Sequence, residues 1–145
     1  MQVSVIIINY NTFRLTCEAI ASVQAQTTGV SYEIILVDNA STECDAGLFA
    51  EKFGAGITLV RNPDNSGFAK GNNLGITYAK GETTLLFNSD VACLNDALTI
   101  TYQALKANPY LGVTAARLEY SNGALQPQCG RFPSVWLQIF ELLRL

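Results

Sequence analysis

The sequence predicts an α/β domain, a mostly parallel sheet flanked by helices, and two observations predict it. Short, nearly continuous runs of β-branched and aliphatic residues recur along the chain, as in "VSVIII" and "EIILV". Such runs suit strands buried on both faces. Segments with apolar residues at helical spacing separate them, and this alternation argues for parallel strands joined by helical crossovers. Composition agrees: 145 residues, 49% hydrophobic and 14% charged, make one packed domain rather than a disordered chain.

Val3 to Ile8 is the first predicted strand, ended by Asn9-Tyr10-Asn11. Thr12 is placed to cap a helix to about Gln26, with Leu15, Ala19 and Val23 four apart on one face. Glu33 to Val37 is the second strand, stopped by "DNAST", and a short helix follows from Ala46 to Phe53. Ile57 to Val60 is the third strand. "RNPDNSGFAKGNNLG" then feeds a helix to about Ala79, along which Gly67, Gly71 and Gly75 share a face; close helix–sheet packing is one reading of them. Thr83 to Phe87 is the fourth strand, and Asn95 is placed to cap a helix to about Ala107, stopped by Asn108-Pro109. Gly112 to Tyr120 reads as a fifth strand, with "SNG" as a hairpin turn before Ala124 to Gln128. The tail "FPSVWLQIFELLRL" is apolar nearly all round from Ser134. It is expected to be covered by a following segment, a partner chain or a membrane surface, the first being preferred.

Several function classes drop out. The net charge of −3 is scattered, against the clustered basic surface of a nucleic-acid binder. No apolar run is long enough to span a membrane, and no basic leader precedes the first strand. Cys17, Cys44, Cys93 and Cys129 are far apart and read as buried, reduced thiols. The chain has no histidine, which removes Ser-His-Asp and Cys-His schemes and leaves acid–base work to carboxylates.

Three polar clusters follow predicted buried strands directly: Asn9-Tyr10-Asn11, Asp38-Asn39 and Asn88-Ser89-Asp90. Each alone is a common turn, but in an open α/β sheet ligands bind at the carboxyl ends of the strands. Neither G-x-x-x-x-G-K-[ST] nor G-x-G-x-x-G is present, and the first turn reads "NYNTFR". A phosphate ligand would therefore need other neutralisation, such as Mg²⁺ or Mn²⁺ on a strand-end carboxylate. For Asp90 the competing reading is a capping turn.

"VSVIIINYN", "EIILVDNAST", "RNPDNSGFAKGNNLGITYAKG", "LLFNSDV" and "LQPQCGRFPS" occur in that order over nearly the whole chain. Together they resemble the donor half of a family 2 glycosyltransferase of GT-A fold, with the rhamnosyltransferase-like enzymes of bacterial surface polysaccharides as the nearest subgroup. The resemblance implies a Rossmann-like donor domain over 1–132, with 133–145 starting an acceptor-binding half. Tyr10 would stack on the base, and Asp38 would accept hydrogen bonds from base or ribose. Asn65, Gly67, Phe68 and Asn72 would line the sugar-diphosphate pocket, with Arg61 or Lys70 as charge partners. Asp90, with Asn88 in place of the first aspartate of a D-x-D-type motif, would hold Mg²⁺ or Mn²⁺.

The implied partners are a dTDP- or UDP-sugar and a saccharide or lipid-linked acceptor, in the cytoplasm or at the inner face of the membrane. The implied transfer inverts the anomeric centre and needs a carboxylate base, expected beyond Leu145; Glu119 and Asp96 do not match it. These residues alone are accordingly expected to turn nothing over. A non-catalytic remnant serving as an interaction module, and a sugar-nucleotide pyrophosphorylase, are the competing readings. The pyrophosphorylase would want a glycine-rich, basic loop where "NYNTFR" stands.

Overall fold

The computed structural model describes residues 1–127 together with Ser134, Phe140 and Leu142. It divides into two compact units, Met1–Thr114 and Ala115–Leu145. The first holds the order β1 (Val3–Asn9), α1 (Phe13–Gln26), β2 (Tyr32–Asn39), α2 (Gly47–Phe53), β3 (Thr58–Asn62), α3 (Gly67–Ile76), β4 (Thr83–Phe87) and α4 (Ala97–Ala107). The four strands form one sheet in the order β3-β2-β1-β4, every pair parallel.

The apolar runs of β1 and β2 divide their side chains between two faces with the period of two that a strand imposes. Val3, Val5, Ile7, Ile34 and Leu36 pack with Cys17, Ile20 and Val23 of α1, Phe49 of α2 and Leu98 of α4. Ile6, Ile8, Ile35, Val37 and Val60 form the second core, against Leu74 and Ala79. Burial on both faces is why these strands read as unbroken hydrophobic runs. The rings of Phe13 and Phe49, 4.5 Å apart, join α1 to α2.

Gly71 and Gly75 do serve helix–sheet packing. A Cβ on Gly75 would stand 2.5 Å from Ile6 Cγ2 and 3.1 Å from Val37 Cγ2, and one on Gly71 3.4 Å from Ile8. Gly67 differs: it faces open space but has φ +79°, a conformation glycine adopts without strain.

Several predicted details change. The helix expected to reach Ala79 ends as α3 at Ile76, because Thr77, Tyr78 and Ala79 donate to carbonyls three residues back and tighten the last turn. α4 is capped by Asp96 rather than Asn95: an Asp96 carboxylate oxygen accepts from Thr99 N at 3.2 Å. The predicted fifth strand, Gly112 to Tyr120, does not form. Its only pairing among the described residues is a single antiparallel bridge, Glu119 to Leu125. The stretch has strand-like residues but is paired along none of its length except that bridge among the described residues, and Val113 is 83% exposed. The hairpin turn itself is present: Tyr120 N donates to Ala124 O, Gly123 N to Tyr120 O, and Gly123 has φ +80°.

Cys17 and Cys93 are free and buried as expected, whereas Cys44 is partly exposed. Cys129, Gln128 and most of the apolar tail lie outside the described residues. Among the described residues no helix is long and apolar enough to cross a membrane.

Candidate functional site

All four strands point their carboxyl ends to one edge, and the order β3-β2-β1-β4 makes the gap between β1 and β4 the point where the winding reverses. The three polar clusters therefore stand side by side. Asn9 is the register partner of Asp38, and Phe87, the residue before Asn88, is the partner of Ile7.

Asn9 ends β1 fully buried, and all of its hydrogen-bonding capacity is used. Its Nδ2 donates to Asp38 Oδ1 and to Ser41 Oγ, each at 2.8 Å. Its Oδ1 accepts from Thr16 Oγ1 at 2.8 Å and from Thr12 Oγ1 at 3.1 Å. Thr12 thus serves Asn9 and makes no side-chain cap on α1. Thr12 Oγ1 also lies 3.3 Å from Ser89 Oγ, which ties β1 to the turn after β4.

Asp38 is 6% exposed, and its second oxygen accepts from Ser41 N at 3.3 Å. A carboxylate has about four acceptor positions, so two remain for a ligand's donors. Tyr10, one residue past the buried Asn9, is 45% exposed.

The loop after β2 is pinned over the start of α1. Asn11 has φ +53°, and its Oδ1 accepts from Thr42 N at 2.7 Å and Glu43 N at 3.1 Å. The Glu43 carboxylate accepts from Phe13 N, satisfying an amide that the helix itself leaves unpaired. Ala40 has φ +62°, a strained conformation for a residue with a Cβ, and it sits between the bonded Asn39 and Ser41. The loop is anionic: burial first, then Glu43, Asp38 and Asp45, push the Cys44 thiol above its ordinary value.

A second amide chain holds the loop before α3. Asn39 Nδ2 donates to Asn65 Oδ1 and Asn62 Nδ2 to Asn39 Oδ1, each at 2.7 Å. Asn65 Oδ1 also accepts from Gly67 N at 3.1 Å. Asn65 and Gly67 are therefore connected to the end of β2. Phe68 is 57% exposed on the first turn of α3, while Asn72 is buried and donates to Phe68 O at 2.9 Å. Arg61 is engaged elsewhere, donating to Asp45 Oδ1 at 2.8 Å, and Lys70 is exposed.

Asn88 and Asp90 are exposed on the turn after β4, where Val91 N donates to Asn88 O at 3.4 Å. Among the described residues no three His, Cys, Asp or Glu groups cluster around a possible metal position. One carboxylate and one carboxamide are still a hard-oxygen donor pair, which suits Mg²⁺ or Mn²⁺ with the remaining positions filled by phosphate oxygens and water.

Asn9 and Asn39 stand in the strand-end clusters of the sequence but without an assigned part, and Thr16, Ser41 and Asn62 are not marked by it at all. The available signal was the i, i+4 pair Thr12 and Thr16 facing a strand-end asparagine.

Solved structures share this architecture. S. aureus TarS 1-349, in complex with UDP-GlcNAc, is 28% identical with a TM-score of 0.61, over 74% of this chain and 31% of that one. The mannosyltransferase PcManGT from Pyrobaculum calidifontis, in complex with GDP-Man and Mn²⁺, is 27% identical with a TM-score of 0.67, over 77% and 34%. Among curated proteins, glycosyltransferase GlyG of Streptococcus pneumoniae serotype 4 is 29% identical over 72% of this chain and 35% of its own length. The chain spans about a third of the length of these relatives. The fold is GT-A. The model of Glycosyl transferase family 2 matches residues 4–140, and the chain belongs to that family.

Proposed function

We propose that this chain is the donor-binding part of a glycosyltransferase that moves a sugar from a nucleoside diphosphate to a saccharide or lipid-linked acceptor. The observation that carries the reading is the meeting of Asn9-Tyr10, Asp38-Asn39 and Asn88-Asp90 at the switch point of one parallel sheet. Membership of family 2 and similarity to structures in complex with UDP-GlcNAc or GDP-Man support it.

In this reading Tyr10 stacks on the base and Asp38 accepts from donors of the base or ribose. Asn65, Gly67, Phe68 and Asn72 form the sugar-diphosphate side, and Asn88 and Asp90 would hold Mg²⁺ or Mn²⁺. Such a dication supplies Lewis-acid stabilisation of the departing diphosphate. Arg61 is already paired with Asp45, so the loop itself offers little free positive charge for the phosphates.

The transfer is read as inverting, with a carboxylate base outside these residues. Asp96 is consumed by its helix cap and Glu119 pairs with Arg117, so neither is assigned that part. Residues 1–132 would be the donor domain, and 133–145 would begin the acceptor-binding part or pair two copies. We assign the whole protein to the rhamnosyltransferase-like branch, building surface polysaccharide at the cytoplasmic face of the membrane, and these residues alone to donor binding without turnover.

The second reading, a non-catalytic binding module, draws on Asn88 standing where a carboxylate would strengthen a metal site. Thermal unfolding with UDP, dTDP or GDP, with and without Mn²⁺, on this chain and on Asp90→Ala, separates the two. Ligand at about 100 times its dissociation constant should add roughly 2.7 kcal/mol. A Mn²⁺-dependent shift with one nucleotide, lost in Asp90→Ala, is expected; no shift with any of them favours the module.

A further inference from the structure

Asp38 can read a nucleoside only if its carboxylate plane is fixed, and the fold fixes it through a residue that need not touch the ligand. We propose that Asn9 is a positioning residue for the donor: its amide sets the direction of the Asp38 carboxylate, and Thr16 and Thr12 set the direction of the amide. The inference rests on the reading of Asp38 as the nucleoside ligand.

The geometry has three parts. Asn9 and Asp38 are direct register partners on adjacent parallel strands, so the backbones fix both side-chain origins. The Asn9 amide donates to Asp38 Oδ1 at 2.8 Å while Ser41 N donates to Oδ2 at 3.3 Å, so both oxygens are held and rotation about the carboxylate axis is blocked. Hydroxyl protons of Thr16 on α1 and of Thr12, the residue just before it, reach Asn9 Oδ1. Flipping the amide would turn its oxygen towards the Asp38 carboxylate, setting two acceptors face to face. The orientation is therefore determined from both sides, and Asn9, Thr16 and Asp38 are buried, where unpaired polar atoms are costly. A rigid surrounding shell of this kind holds a binding group in its productive direction.

The test is a double-mutant cycle on nucleotide affinity. Calorimetric titration with UDP, and with GDP in parallel, each with Mn²⁺, is run on the unaltered chain, Asn9→Ala, Thr16→Val, Asp38→Ala and the doubles with Asp38→Ala. Far-ultraviolet circular dichroism checks that each variant is folded. We expect Asn9→Ala to bind about tenfold more weakly and Thr16→Val about threefold. Neither change should weaken binding further once Asp38 is alanine, because each acts through that carboxylate. Should Asn9→Ala fail to fold, the milder Thr16→Val carries the same comparison.

Losses that multiply in the double variants would overturn the inference and leave Asp38 as a ligand. Full affinity in Asn9→Ala and Thr16→Val beside a weak Asp38→Ala would do the same. Full affinity in Asp38→Ala would instead remove the assignment on which the inference stands, and no binding by the unaltered chain would remove the donor reading and the inference together.

Discussion

At the ends of β1 and β2 Asn9, Asp38 and Asn39 are buried and held by side-chain hydrogen bonds, whereas at the end of β4 Asn88 and Asp90 are exposed. Asn9 bonds to four side chains, and Asp38 is held on both oxygens. Asn88 and Asp90 are both exposed; Asn88 O accepts one long turn bond from Val91 N, and Ser89 between them lies 3.3 Å from Thr12 Oγ1. The first region is organised before a ligand arrives. The second offers charge and carboxamide oxygen with few bonds of its own, so in the proposed reading its final geometry would come from the ligand. In the proposed reading, a pocket for a flat, rigid base and a seat for a hydrated cation with phosphates would make those different demands.

The largest expected effect lies in the organised region. Asn9→Leu keeps bulk but strands the buried acceptors and donors around it, and should cost about 2–4 kcal/mol in chemical unfolding. A near-neutral result would mean that water or side-chain rearrangement replaces the network, and the contrast between the two ends would weaken.

Next comes the Asp96 carboxylate, which clamps the loop between α1 and β2 onto α4 by accepting from Thr28 N, Gly29 N and Thr99 N. Burial pushes its pKa up, but the hydrogen bonds from Thr99 and Thr28 outweigh it and bring the pKa to about 2, below the ordinary 3.8. The folded form holds its proton less tightly than the unfolded chain, so the contribution is complete above pH 3.8 and disappears as pH falls towards 2. Asp96→Ala should cost about 1 kcal/mol near neutral pH and flatten the acid limb of a stability–pH curve over that window. Nucleotide affinity, read at the opposite end of the strands, should be unchanged.

Asn88→Asp tests the exposed region from the other direction. Adding a carboxylate beside Asp90 should tighten Mn²⁺-dependent nucleotide binding several-fold, while the melting temperature without ligand moves by no more than about 2 °C. A large loss of stability instead would place Asn88 inside a structural network like that of Asn9. The smallest effect is expected at Arg61, whose exposed ion pair with Asp45 is the kind that contributes little. Arg61→Ala should change neither melting temperature nor nucleotide affinity; a clear fall in affinity would return Arg61 to the phosphate side of the site.

The sheet was legible because β1 and β2 are buried on both faces and so print as unbroken apolar runs, which turn residues end within two positions of the observed limits. The stretch from Gly112 to Tyr120 carries strand formers such as Val113, Thr114 and Tyr120 but is broken by Arg117 and Glu119, and propensity alone did not exclude a strand there. Among the site residues, the strand-end positions of Asp38, Asn88 and Asp90 followed from punctuation of those runs. The part played by Asn9 did not. Asn9 and Asn11 are equivalent as letters in a turn, and only the pleat of β1 and the positive φ of Asn11 decide that one faces the core and the other the loop. Asp96 replaced Asn95 as the cap for a similar reason: its second partners, Thr28 and Gly29, come from a distant loop.

The most direct test of the donor reading is where a paramagnetic dication sits. On isotope-labelled chain, Mn²⁺ added with UDP or GDP should broaden the amide resonances of Asn88 to Val91 first, spare those of Thr28 and Gly29, and do so far less without nucleotide. Broadening centred on the Glu43–Asp45 loop, or the same with and without nucleotide, would contradict the claim that this sheet edge holds a metal-bound nucleoside diphosphate.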